Sequence, residues 1–225
     1  MTTSKRAAEL IAELEAQANP ANVAGMARYG IVTDRARGVP IPALRAMAKR
    51  TGRDHRIATE LWATGIHEAR ILASMVAEPA NMTAAQMDRW VRDFDSWDVC
   101  DQVCLNLFRH SPFACAKATR WAGAKPEFVR RAAFALMAGL AAGRNQIRDA
   151  QFGGFLKLIA EAADDDRNMV KKAVNWALRQ IGKRNPRLLR EAMAVAVRME
   201  RTESRPARWI AKDALRELRK RTAGA

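Results

Sequence analysis

The sequence lacks the marks of several protein classes. No apolar run approaches the roughly 20 residues that a membrane-spanning helix needs. The opening stretch MTTSKRAAELIAEL has neither an apolar h-region nor a small-residue cleavage site, so no signal peptide is expected. No alternating apolar and polar stretch argues for a strand. No Walker loop or Rossmann glycine fingerprint offers a nucleotide site. The three cysteines, Cys100, Cys104 and Cys115, all fall in helical patterns, and an odd number fits a reducing cytosol better than a disulfide framework. His55, His67 and His110 are scattered, with no serine or cysteine nucleophile to recruit them. Cys100, Cys104, His110 and Cys115 can be drawn as a zinc site. Cys100 and Cys104 lie on an apolar stripe, however, where buried cysteine is common, so neither metal nor cofactor is expected.

Negative charge is also scarce. Against 39 Lys and Arg stand 24 Asp and Glu, a net charge of +15. Such an excess points to a polyanionic partner: DNA, RNA or an acidic membrane surface. The membrane reading is disfavoured, because no basic amphipathic helix stands apart from the rest of the chain. The chain has 225 residues, 49% of them hydrophobic, enough for one domain with a real core. We expect a single domain over residues 1–225, with 1–3 and about 220–225 flexible and RELRKRTAGA ending as a basic tail.

What is present is helical periodicity throughout, amounting to about a dozen helices. Asn19-Pro20, Ser111-Pro112 and Asn185-Pro186 each read as an N-cap followed by proline at the first helical position. Thr83-x-x-Gln86 reads as a capping box. Asp164, Asp165 and Asp166 place negative charge before a helix starting near Arg167. Gly38-Val-Pro-Ile-Pro42 reads as a turn into ALRAMAKR. VRRAAFAL and VKKAVNWAL each set a basic pair before a small-residue helix, with Arg131 and Lys172 41 residues apart. PARWIAKDAL echoes the pattern 36 residues later, and EARILASM echoes it earlier. A period near 40 with two helices per unit is the range of HEAT and armadillo repeats. We therefore expect an all-α, HEAT-like helical-repeat solenoid (an α-α superhelix) with a concave basic groove. An irregular bundle is the alternative. In the solenoid, Arg130, Arg131, Lys171, Lys172 and Arg208 form a basic track for phosphates.

One stretch, FDSWDVCDQVCLNLF (94–108), joins the two themes. Ser96 reads as an N-cap. Cys100, Val103, Cys104, Leu107 and Phe108 form a core-facing stripe. Trp97 and Asp101 lie about 40° apart on the helical wheel, at one edge of that stripe. Asp98 turns further toward solvent, near the helix N-terminus, where a dipole role is the simplest reading. Trp176 follows Lys172 by one turn on a second such helix. Trp62, Trp90, Trp121 and Trp209, taken singly, read as core.

These segments, with GVPIPALRAMAK (38–49), EFVRRAAFALMAGL (127–140) and RNMVKKAVNWALRQIGKRNP (167–186), resemble the AlkD-type DNA alkylation repair family, the HEAT-like-repeat DNA glycosylases. The resemblance spans roughly residues 20 to 215. It implies excision of N3-methyladenine and N7-methylguanine from double-stranded DNA containing alkylated bases. That reaction uses neither metal nor cofactor and does not draw the lesion into a pocket. Trp97 and Trp176 match the two lesion-flanking tryptophans, Asp101 the catalytic aspartate, and Arg131 the arginine holding the backbone. For the family's N-terminal aromatic, Tyr29 and Trp62 are the candidates. A cytoplasmic, nucleoid-associated monomer is expected.

The chemistry is coherent by itself. An N3- or N7-alkylated purine is cationic and leaves readily, with positive charge building on the sugar. A carboxylate near C1′ stabilises that charge, and indole faces favour cations. Asp98 remains an alternative to Asp101. A non-catalytic HEAT-like scaffold binding nucleic acid or an acidic protein remains the rival function, since fold does not settle activity.

Overall fold

The computed structural model describes residues 3–143 and 146–222. Among the described residues there are thirteen α-helices, two short 3-10 turns and no strand. None of these helices is long and apolar enough to cross a membrane. The chain divides into two compact units, Met1–Pro112 and Phe113–Ala225.

The first unit holds α1 (Lys5–Ala16), α2 (Pro20–Ala27), α3 (Ile41–Thr51), α4 (His55–Ala63), α5 (His67–Val76), α6 (Ala84–Arg92) and α7 (Trp97–Asn106). The 3-10 turns are Pro79–Asn81 and Phe108–His110. Helices α3, α5 and α7 pack side by side as one layer, with α4 behind α5. Trp62 of α4 stacks on Trp90 of α6, ring centroids 4.0 Å apart and planes 3° from parallel. The second unit holds α8 (Ala114–Trp121), α9 (Glu127–Ala142), α10 (Asp149–Glu161), α11 (Asn168–Gly182), α12 (Pro186–Glu200) and α13 (Arg205–Thr222). Here α11 lies between α9 and α13 in one layer, and α10 packs beside α12 in the other. Helix α9 is apolar on nearly every side and is buried from Val129 to Ala141, apart from Arg130. Its alanines let α11 approach closely, and a helix so covered belongs to an interior.

Within each unit, side chains tie several helices to their counterparts in the next repeat, and the offset measures the repeat. In the first unit it is 31 residues. His55 Nε2 lies 3.0 Å from Gln86 Oε1, Trp62 Nε1 donates to Asp93 Oδ2 at 2.8 Å, and His67 Nε2 lies 2.8 Å from Asp98 Oδ2. In the second unit it is 38. Arg131 Nη1 donates to the Met169 carbonyl at 2.6 Å, Asn175 Nδ2 to Asp213 Oδ2 at 2.7 Å, and Arg179 Nη1 to Glu217 Oε2 at 2.6 Å. The expected period near 40 thus describes the second unit only. The shorter repeat of the first unit escapes a search at that spacing.

Most caps lie where sequence chemistry puts them. Asn19, Thr83 and Asn185 each accept a backbone N–H from the residue three ahead. Gln86 does not close the box reciprocally, since its side chain turns to His55 and Thr59. Ser111-Pro112 is a correction: α8 begins at Ala114, with Phe113 before it and no side-chain cap. The basic end is another. Helix α13 runs through Thr222, because Glu217 binds Arg179 and Lys183 while Arg221 donates to the Lys183 carbonyl at 3.1 Å. Of the ends expected to be flexible, residues 1–2 and 223–225 lie outside the described residues.

The acidic run before α11 does more than complement a helix dipole. Asp165 is 8% exposed and accepts from Arg130 Nη1 at 2.9 Å and from Arg167 Nη2 at 2.6 Å. Burial by itself would raise its pKa. The Arg167 hydrogen bonds and the charge of Arg130 outweigh that and hold the carboxyl below the usual carboxylate range. The resulting stabilisation is present above the unfolded pKa, near pH 4, and is lost as pH falls through the lower folded value. We expect Asp165→Asn to cost about 3 kcal/mol at pH 6 in urea unfolding, because it strips a buried clamp of its charge. The gap to wild type should narrow as pH falls toward 2; a gap independent of pH would show that the clamp contributes through packing alone.

Candidate nucleic-acid site

The N-terminus of α7 is built around a pinned segment. Gly38 has φ +73°, and a Cβ there would lie 2.3 Å from the Asn19 carbonyl, so only glycine fits. The turn it makes presents the Arg37 and Gly38 amides to the buried Glu68 carboxylate, at 2.8 and 2.6 Å. Further along, Ser96 occupies the N-cap position of α7 but does not cap it. Its hydroxyl instead accepts the Val32 amide at 3.0 Å. Trp97 Nε1 donates to the Tyr29 carbonyl at 3.1 Å, which fixes the indole's orientation. Segment 28–38 is thereby strapped to α5 and α7.

The stripe on α7 is where its spacing placed it: Cys100, Val103, Cys104, Leu107 and Phe108 are all 0% exposed. Trp97 and Asp101 are half-buried at its border, one helical turn apart. Asp98 departs from expectation. It does not merely face solvent near a helix end, for its carboxylate lies 2.8 Å from Nε2 of His67, itself 5% exposed. Burial alone would lower the His67 pKa. The Asp98 hydrogen bond and charge, with Glu68 and Asp95 behind them, reverse the sign and raise it. His67 and Asp98 sit in the wall of a cavity of about 450 Å³ that Met26, Tyr29, Ile31 and Val39 also line. Tyr29 is 72% exposed. Trp62 is 5% exposed, stacked on Trp90 and covered by Arg70 at 5.5 Å. Of the two N-terminal aromatic candidates, only Tyr29 is available to a ligand.

In the second unit the basic pairs do not act as pairs. Adjacent helical residues diverge by about 100°, so two neighbours cannot line one face. Arg130 turns to Asp165 and to the Ala122 carbonyl, 2.9 Å from each. Arg131 is 5% exposed and donates to Met169. Lys172 is exposed and Trp176, one turn on, is half-buried. Lys171 Nζ sits 5.1 Å over the ring of Trp209. Arg208 donates to the Thr202 carbonyl at 3.0 Å. A continuous track of all five cations is therefore not what the sequence builds. Trp209 is the residue that sequence reasoning misplaced: it is 43% exposed, whereas Trp62, Trp90 and Trp121 are buried. The signal was its setting, a lone indole with arginines and a lysine at helical spacing.

Cys100 and Cys104 lie in the core, while burial pushes the Cys115 thiol pKa up. Among the described residues no three His, Cys, Asp or Glu side chains are grouped to hold a metal ion.

Stacked helix pairs, tied repeat to repeat, define an all-α protein of HEAT-like repeats. Residues 10–218 match the family described as DNA alkylation repair enzyme, and the chain belongs to that family. Its fold is also that of a solved structure described as "A new family of proteins related to the HEAT-like repeat DNA glycosylases with affinity for branched DNA structures". The likeness covers 93% of this chain and 94% of that one, with a TM-score of 0.78 at 21% identity. A designed armadillo repeat protein matches with a TM-score of 0.36 at 15% identity, over 79% of this chain and 92% of that one. No curated protein matches the sequence.

The His67–Asp98 pair makes a pH prediction. A histidine with a raised folded pKa contributes stability that is complete below its unfolded value, about 6.5, and is lost as pH rises through the folded value. Thermal unfolding should therefore show Asp98→Asn less stable than wild type by about 2 kcal/mol at pH 5.5, with the difference shrinking above neutrality. A difference that grows with pH would contradict the charged pair.

Proposed function

We propose that this protein is a DNA glycosylase that hydrolyses the N-glycosidic bond of cationic alkylated purines, N3-methyladenine and N7-methylguanine, in duplex DNA. The observation that carries the reading is the placement of Trp97 and Asp101. They lie one turn apart on α7, half-buried at the border of a fully buried stripe, with the indole held by Tyr29. A carboxylate at such a border is partly shielded from water, so its field acts more strongly on charge that develops beside it. As the glycosidic bond breaks, the electron pair leaves with the purine, which is already cationic and needs no general acid. The sugar becomes oxocarbenium-like. Asp101 stabilises that charge and orients the water that adds to C1′, leaving an abasic site. The face of Trp97 favours the positive base and sugar, and Trp176 is given the same role by resemblance alone. Arg131 is assigned to the DNA backbone by resemblance, and meeting a phosphate requires it to exchange its bond to Met169. Exposed Lys172 serves the duplex phosphates. The reading needs neither metal nor cofactor, and it places a monomer on nucleoid DNA in the cytoplasm.

The burial of Arg131 favours a second reading: binding of structured DNA without base release, by a scaffold of the same fold. The similar solved structure is of a protein with affinity for branched DNA. One experiment separates the two. The protein is incubated with methylated duplex DNA and the freed bases are resolved by chromatography. We expect N7-methylguanine release by wild type and a loss on the order of 100-fold in Asp101→Asn, with DNA binding retained. Release unchanged by the substitution removes Asp101 from the mechanism, and no release by wild type selects the second reading. In salt titrations, Lys172→Ala should reduce the slope of log Kobs against log salt by about 0.9, the loss of one phosphate contact.

A further inference from the structure

Helix α13 segregates its charge. Its sequence, RPARWIAKDALRELRKRT, carries seven basic and two acidic residues. Glu217 pairs with Arg179 and Lys183 of the α11 end, and Asp213 accepts from Asn175 of α11 and also from Arg216 on its own helix. Ala207, Ile210, Ala211, Ala214, Leu215 and Leu218 are buried on the packed side. Directly opposite, Arg205, Trp209, Lys212, Arg216 and Lys220 are all exposed. Their spacing of four, three, four and four residues confines them to about 80° of the helix circumference. An indole thus sits within a cationic stripe, steadied by Lys171 of α11.

We propose that this stripe is a single-strand-binding surface, taking an unpaired DNA segment that adjoins a duplex, with one base stacked on Trp209 and phosphates held by Arg205, Lys212 and Arg216. Three observations select that occupant. Four like charges in a row suit a polyanion, with Arg216 exchanging its bond to Asp213 for a phosphate. A partly exposed indole among them gains nothing from duplex phosphates, whereas unpaired bases offer their faces to aromatic side chains. Binding to an anionic membrane would need a wide free apolar face, and the apolar face of α13 is already spent against its neighbours. The ammonium of Lys171 over the ring restrains the indole and adds positive charge where a strand would pass. The inference stands apart from base release, because it is tested on unmodified DNA.

The test compares fluorescein-labelled DNA of two kinds, a blunt duplex and the same duplex with a single-stranded arm, by anisotropy at fixed salt. Wild type should bind the armed substrate about tenfold more tightly, and Trp209→Ala should abolish that preference, consistent with one stacked base. Trp209→Phe should restore most of it. Lys212→Glu combined with Arg216→Glu should weaken binding to the arm. Equal affinity of wild type for both substrates would overturn the proposal, as would equal losses on both in Trp209→Ala. Trp209-dependent binding to anionic phospholipid vesicles with no preference for the arm would overturn it in favour of a membrane surface.

Discussion

A pair of short helices cannot bury its own apolar faces, and within each unit of this chain neighbouring pairs cover one another. The consequence is visible in the polar contacts as much as in the core. Trp62 reaches Asp93, His67 reaches Asp98, Asn175 reaches Asp213 and Arg179 reaches Glu217. Each bond joins equivalent positions in successive repeats, so a shift of one helix by a single residue would break several at once. Stacking supplies the free energy, and these bonds supply the register.

Register is also what positions chemistry. Trp97 and Asp101 occupy a border because α7 must turn Cys100, Val103, Cys104, Leu107 and Phe108 inward. Once that stripe is fixed, the two residues between core and water have no freedom to be elsewhere. The strap over segment 28–38 then adds a hydrogen bond that sets the indole plane, and it delivers exposed Tyr29 to the same end of the helix. The site follows from the core rather than being added to it.

The helical class, most caps and the inward stripe of α7 were legible because each depends on local periodicity and on side chains a few residues apart. What was not legible depends on partners distant in sequence. Ser96 has the residue type and position of a cap, yet its hydroxyl serves Val32, 64 residues away. Asp98 is drawn from solvent by His67, and Arg130 from a presumed DNA track by Asp165. The repeat near 40 was found where basic pairs advertise it, and the echo in EARILASM did not reveal the shorter period of the first unit. Trp209 was read as core with the other tryptophans, because indoles bury far more often than they protrude. Only the packing of α13 shows which face is already used.

The two repeat lengths have a bearing on how such a protein arises. The difference of seven residues is about two helical turns. It appears in the helices themselves: α3, α5 and α7 have 11, 10 and 10 residues, while α9, α11 and α13 have 16, 15 and 18. A segment copied from one half and inserted into the other would bring contacts spaced for the wrong partner. Duplication and exchange of modules are therefore tolerated within a half and penalised across the junction, and lineages that lengthen or trim this architecture should do so in whole repeats of the local size.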